Sequence, residues 1–178
     1  PTKTPTPTPT PGKVNSQLDV VSFKVSSSSR TPDSTYPAQS PKGVAVTTLK
    51  VENDGGPLRN VSFRVVRLTN NNYLLNADGG PGQVGSKLSV PNSALPGGNQ
   101  RWDKHELLTQ DFRIGLMSWS SFTFQVDVYA SKVMVSAGSE NTVDGMGTEE
   151  LVGSYLIEID PEKVDARKTL IYLPLINK

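Results

Sequence analysis

Cysteine is absent from the 178-residue chain, which excludes disulfides, thiolate metal sites, cysteine nucleophiles and iron–sulfur clusters. Histidine occurs once, at His105 in Trp102-Asp103-Lys104-His105-Glu106. A Ser-His-Asp triad would have to use that residue, and no Gly-x-Ser-x-Gly stretch marks a nucleophile. Acidic residues crowd at Asp103, Glu106 and Asp111 and at Glu149 and Glu150, in the manner of any solvated surface. The chain is therefore expected not to be an enzyme. Oxygen-rich stretches at Asn53-Asp54, at Asn76 with Asp78, and from Asn141 to Glu150 offer too few carboxylates for calcium and have the composition of tight turns. No cofactor or metal is expected.

Charge of one sign is also lacking: Lys plus Arg number 18 and Asp plus Glu 17. The densest basic group, Arg59, Arg64 and Arg67, alternates with Val and Phe, which argues against nucleic acid as a partner. No apolar run approaches the roughly 20 residues of a membrane-spanning helix. Aromatics make up 7% of the chain, and most alternate as core residues. Trp102, Trp119, Tyr36 and Tyr73 remain, with Trp102 and Trp119 the candidates for stacking on a ligand.

Proline and threonine, by contrast, are concentrated at one end. Thr4 to Pro11 alternates strictly, and polyproline II is the expected state, spanning about 25 Å at ~3.1 Å per residue. Residues 1–15 are expected to form a stalk or linker, and residues 16–178 one folded domain. The stalk is either an inert spacer or a glycosylated segment, with Thr2, Thr4, Thr6, Thr8 and Thr10 as acceptors. Asn60-Val61-Ser62 is an N-glycosylation sequon.

The body reads as short strands joined by turns. Val21, Phe23 and Val25 alternate with polar residues, and Ser26–Arg30 with three prolines begins a long loop. Val44 and Val46 are out of phase with Leu49 and Val51, which predicts a bulge near Thr47–Thr48. Asn53 to Pro57 is a turn, and Val61, Phe63 and Val65 return as the second arm of a hairpin. Tyr73–Leu75 is short; Val84, Leu88 and Val90 make a weak strand; Arg101–Gln110 admits a helical turn or two. Phe122, Phe124, Val126 and Val128 form the strongest strand, with Val133 and Val135 following a turn, then Tyr155, Ile157 and Ile159. Trp119 is expected on the outer face at the start of that strongest strand. Thr169 to Ile176 is apolar on both faces, so Leu170, Tyr172, Leu173, Leu175 and Ile176 are candidates for contact with another subunit or for a core strand covered by the long loop. Pro174 places this segment at a sheet edge or a strand end. The fold class expected is all-β, an antiparallel sandwich.

Val51-Glu52-Asn53-Asp54-Gly55-Gly56 followed by Val61-Ser62-Phe63-Arg64-Val65 resembles the first hairpin of immunoglobulin-like accessory domains in bacterial and archaeal surface proteins. Phe122 to Tyr129 is similar to their later core strand, and the Pro-Thr tract to linkers of secreted enzymes and adhesins. The resemblance covers about half of the chain without a signature motif. It implies an immunoglobulin-like sandwich, secretion to the cell surface, and an adhesive, spacing or structural role. The first expectation is an extracellular structural subunit that assembles with copies of itself into a filament, fibre or coat by strand exchange. The alternative is a carbohydrate-binding or adhesion module of a larger exported protein.

Overall fold

The computed structural model describes residues 17–133, 146–163 and 171–172. Thr2, Thr4, Thr6, Thr8, Thr10, Val135, Leu170, Leu173, Leu175 and Ile176 lie outside the described residues. The strands are β1 (Leu18–Ser29), β2 (Val44–Asn53), β3 (Leu58–Leu68), β4 (Tyr73–Leu74), β5 (Lys87–Ser89), β6 (Leu107–Gly115), β7 (Phe122–Val133), β8 (Met146–Ile159) and β9 (Ile171–Tyr172). They form two antiparallel sheets, one in the order β1-β2-β6-β4 and the other β5-β3-β7-β8-β9. The all-β, two-sheet antiparallel body expected from the alternation is what the chain adopts.

The sheets share one core because each strand turns alternate side chains inward. Phe23 and Phe112 come from the first sheet, Phe63 and Phe124 from the second. Phe112 is the hub: its ring lies 5.4 Å from Phe63, 5.2 Å from Phe124 and 6.4 Å from Phe23, in tilted or edge-on contacts. Val126, Val128, Ile157 and Ile159 extend the core along β7 and β8. The Tyr155 hydroxyl donates to the Leu18 carbonyl oxygen at 3.1 Å, tying the second sheet to β1 of the first.

Several local expectations are corrected. The bulge near Thr47–Thr48 does not exist: β2 pairs with β6 without a break, and Ala45, Thr47, Leu49, Val51 and Asn53 all face inward. Val44 and Val46 are the outward set, so the phase conflict arose from counting outward valines as core. The irregularities lie in β1 instead, between Val20 and Ser22 and between Val25 and Ser27. The first of them turns Val21 out to 51% exposure while Leu18 and Phe23 stay buried. Ser26 to Ser29 do not start the loop; they continue β1, with Ser27, Ser28 and Ser29 opposite Val46, Ala45 and Val44.

The turn at Asn53–Pro57 does not close a hairpin. β2 pairs with β1 and β6 while β3 pairs with β5 and β7, so this segment carries the chain from one sheet to the other. Asn53 makes the crossing possible. It is fully buried; its Nδ2 donates to the Gly56 and Trp102 carbonyls, and its Oδ1 accepts from the Gly55 N–H and the Gln17 side chain. Arg101–Gln110 contains no helix: its second half enters β6, a central strand in which Leu108, Phe112 and Ile114 are buried. Val133 belongs to β7 itself and is not set off by a turn. Among the described residues, no helix is long and apolar enough to cross a membrane.

Candidate functional site

The residues singled out in the sequence fall in separate places. Trp102 is fully buried, bridged to Leu58 by paired backbone hydrogen bonds of 2.8 and 3.0 Å, and its Nε1–H donates to the Glu106 carbonyl at 2.8 Å. Both ring faces are committed to the core, which removes Trp102 as a stacking platform. Trp119 is half-buried and lies in the turn before β7, not on the strand; it packs against the core. The Arg30 guanidinium sits over its ring at 4.4 Å and pairs with Glu162, and its Nε1 is buried without a hydrogen-bond partner. Tyr172 belongs to the two-residue β9, paired with Tyr155 at the margin of the second sheet.

Asn60 is exposed, with a left-handed φ of 53° at an irregularity of β3. Its N–H donates to the Asn92 side chain, whose own amide donates back to Asn60 Oδ1. The sequon hydroxyl is less open: Ser62 is 1% exposed and donates to Glu149 at 3.0 Å. In the folded chain the sequon hydroxyl is therefore held by Glu149 and covered.

His105 is largely exposed, with Nδ1 3.1 Å from Glu52 and 3.8 Å from Asp54. Asp103 binds Arg101, Glu106 accepts the Asp103 N–H, and Asp111 accepts from Thr48, so the three crowded carboxylates are engaged separately. Among the described residues, no group of three potential metal ligands converges.

Arg64, read in the sequence as part of a basic group, is neutralised. Its guanidinium stacks on Tyr129 at 4.3 Å and pairs with Glu149 on β8. Partial burial pushes the Glu149 carboxyl up, but the Ser62 hydroxyl and Arg64 outweigh it and hold the group below the ordinary glutamate value. A depressed carboxyl contributes stability that is fully present above its unfolded pKa and is lost as the pH falls through the folded one. Glu149→Gln is expected to lower the urea midpoint slightly at pH 7, by the equivalent of about 0.5 kcal/mol or less. Near pH 3 the difference should shrink, and an undiminished difference there would assign the effect to packing.

What the sequence reading did not single out is the edge formed by β1. Among the described residues, the marginal strands β4, β5 and β9 are two, three and two residues long, whereas β1 runs for twelve. One side of β1 is bonded to β2; among the described residues no strand lies on the other. The register sorts its side chains. Asp19, Ser22 and Lys24 stand opposite Glu52, Lys50 and Thr48 on the outer face, while Val20 and Phe23 face the core opposite Val51 and Leu49. Because Val21 is the extra residue, Asp19 and Lys24 share a face although they are five apart. Neither has an ion-pair partner among the described residues, and Asp19 lies opposite another carboxylate, Glu52. The signal available in the sequence was the Ser-rich continuation of the first strand, whose lack of apolar residues suits an edge.

No protein-family model matches the sequence, and no curated protein matches it.

Proposed function

We propose that this chain is a non-enzymatic structural module of the immunoglobulin-like type, exported to the cell surface on its Pro-Thr stalk, that associates with copies of itself through a sheet edge. The observation that carries the reading is β1, a twelve-residue strand at a sheet margin with no strand on its outer side among the described residues. Supporting the immunoglobulin-like type, β1-β2-β6-β4 corresponds to the A-B-E-D sheet of that fold and β3-β7-β8 to C-F-G. The B-to-C crossing between sheets falls at Asn53–Pro57. Supporting export, the Pro-Thr tract has the composition of an extended, glycan-accepting stalk. The apolar Thr169–Ile176 segment, whose Ile171 and Tyr172 extend the second sheet at its β8 side, supplies a second candidate contact for growth beyond a pair. The alternative, a carbohydrate-binding module, rests on Trp119 alone, one face of which already carries Arg30.

Val21, exposed on the β1 edge, tests the reading. Val21→Lys places a charge on the margin without touching the core. It is expected to weaken self-association at least tenfold, measured by light scattering after gel filtration, with an unchanged circular-dichroism spectrum. Association of the same strength in the variant would move the contact away from β1.

A further inference from the structure

The flank of the sandwich formed by β4 and β5 is closed by the chain that runs between them. The Leu74 N–H donates to the Gly82 carbonyl at 2.7 Å, and the Gly82 N–H returns to the Leu74 carbonyl at 3.0 Å. Gly82 is thus a one-residue antiparallel neighbour of β4. Asp78 does the equivalent for β5. Its N–H donates to the Lys87 carbonyl at 2.7 Å, and its carboxylate accepts the Ser89 N–H at 3.1 Å and the Ser89 hydroxyl at 2.7 Å. Lys87 and Ser89 turn these backbone groups away from β3, because the alternate residues Ser86 and Val90 are the ones bonded to it, at Val65 and Val61. A residue beside a parallel strand makes this same pair of bonds, donating to one residue and accepting from the residue two further on. Asp78 makes it with a side-chain oxygen in place of its own carbonyl. The left-handed turn at Gly79 and Gly80 then takes the chain away after that single residue.

We infer that Asp78 is a built-in stop on the β5 edge, which excludes a second copy of this chain from pairing there. The edge it covers is self-complementary. Two β5 strands set antiparallel about Leu88 would bring Lys87 of each opposite Ser89 of the other, with no like charges facing. That pairing would call on the same Lys87 carbonyl and Ser89 N–H that Asp78 holds. Leu88, which packs against the core, would meet its counterpart on the inner face. Asp78 is an intramolecular competitor, present at a higher effective concentration than any second copy. The Ser89 hydroxyl, helped by the Ser89 N–H and Lys87 and opposed by partial burial, holds the Asp78 carboxyl below the ordinary aspartate value. The stop is therefore fully in force above the ordinary aspartate range and is released as the pH falls through the lowered value. The inference stands apart from the edge-association reading above, which concerns the other flank.

Asp78→Ala opens the edge on the full chain. It is expected to strengthen self-association by about tenfold or more over the original chain, read by sedimentation velocity at pH 7, with an unchanged circular-dichroism spectrum. Adding Ser89→Pro should cancel the gain, because proline removes the outward N–H without disturbing the bonds to β3. Asp78→Asn keeps a side-chain oxygen for Ser89 and should associate like the original chain. A folded Asp78→Ala chain that associates no more strongly than the original, or a gain that survives Ser89→Pro, would overturn the inference. Hydrogen exchange in the unaltered chain reads the stop without any variant: the Ser89 amide should exchange about tenfold or more slowly than an open amide at pH 7. Exchange at the open rate would overturn the inference as well. The gain is measured against the original chain, so a monomeric original chain would count against the β1 reading and leave this comparison intact.

Discussion

Trp102→Ala is expected to destabilise the protein by about 3–5 kcal/mol, the largest single loss among the substitutions considered. The side chain is 0% exposed, so its removal leaves a cavity in a dense interior. The indole also donates to the Glu106 carbonyl, which simultaneously accepts the Asn53 N–H at 3.1 Å. Loss of the ring therefore loosens the segment that spans the end of the sandwich between Leu58 and the start of β6. Trp102→Phe should recover much of the volume and not the hydrogen bond, leaving a smaller loss of about 1–2 kcal/mol. Urea denaturation followed by the fluorescence of Trp119 measures both. If Trp102→Ala cost under 1 kcal/mol, the residue could not be a core element.

Asn53→Ala is expected to cost about 2–3 kcal/mol, with the same denaturant slope as the parent chain. The Asn53 side chain bonds simultaneously to the Gly55–Gly56 turn, to Gln17 before β1 and to the Trp102 carbonyl. Alanine leaves the Gly55 N–H without this acceptor and removes a donor from two carbonyls in a buried site. Asn53→Asp should be worse at neutral pH, because a carboxylate would face the Gly56 and Trp102 oxygens that Nδ2 now serves. Because the Asn53 side chain bonds to the Trp102 main-chain carbonyl, which the buried indole holds in place, the combined Asn53→Ala and Trp102→Ala loss should fall short of the sum of the two. Full additivity would show that the crossover and the tryptophan are energetically independent.

The parts of the fold that could be read in the sequence are those where one face is dry and the other wet. Phe122 to Val128 and Val61 to Val65 alternate cleanly because the inner face of each strand meets the opposite sheet. β6 was hidden because Gln110 occupies a half-buried position on its inner face and Leu107 stands 42% exposed on its outer face. Both break the alternation. β1 was read short because its last third is serine, and the pairing of Ser27–Ser29 with Val44–Val46 depends on backbone hydrogen bonds that side-chain hydropathy does not register. The crossover at Asn53–Pro57 looks like a hairpin turn because Asn, Asp, Gly and Pro favour both; only the register of the flanking strands distinguishes the two.

The site followed the same logic. Trp102 and Trp119 were candidates because they are large aromatics near loops, yet position relative to the sheets decides whether a ring is core or platform. The β1 margin was invisible for a different reason: whether a strand lies at the edge of a sheet is a property of topology. Asp19 and Lys24 acquire a common face only through the extra residue at Val21. No periodicity count would have placed them together.

Sedimentation velocity of the intact chain, from low micromolar to near-millimolar concentration, tests the central claim that β1 is an association edge. A reversible shift from monomer to dimer is expected, weakened by Val21→Lys. A single monomeric species across the whole range would contradict it.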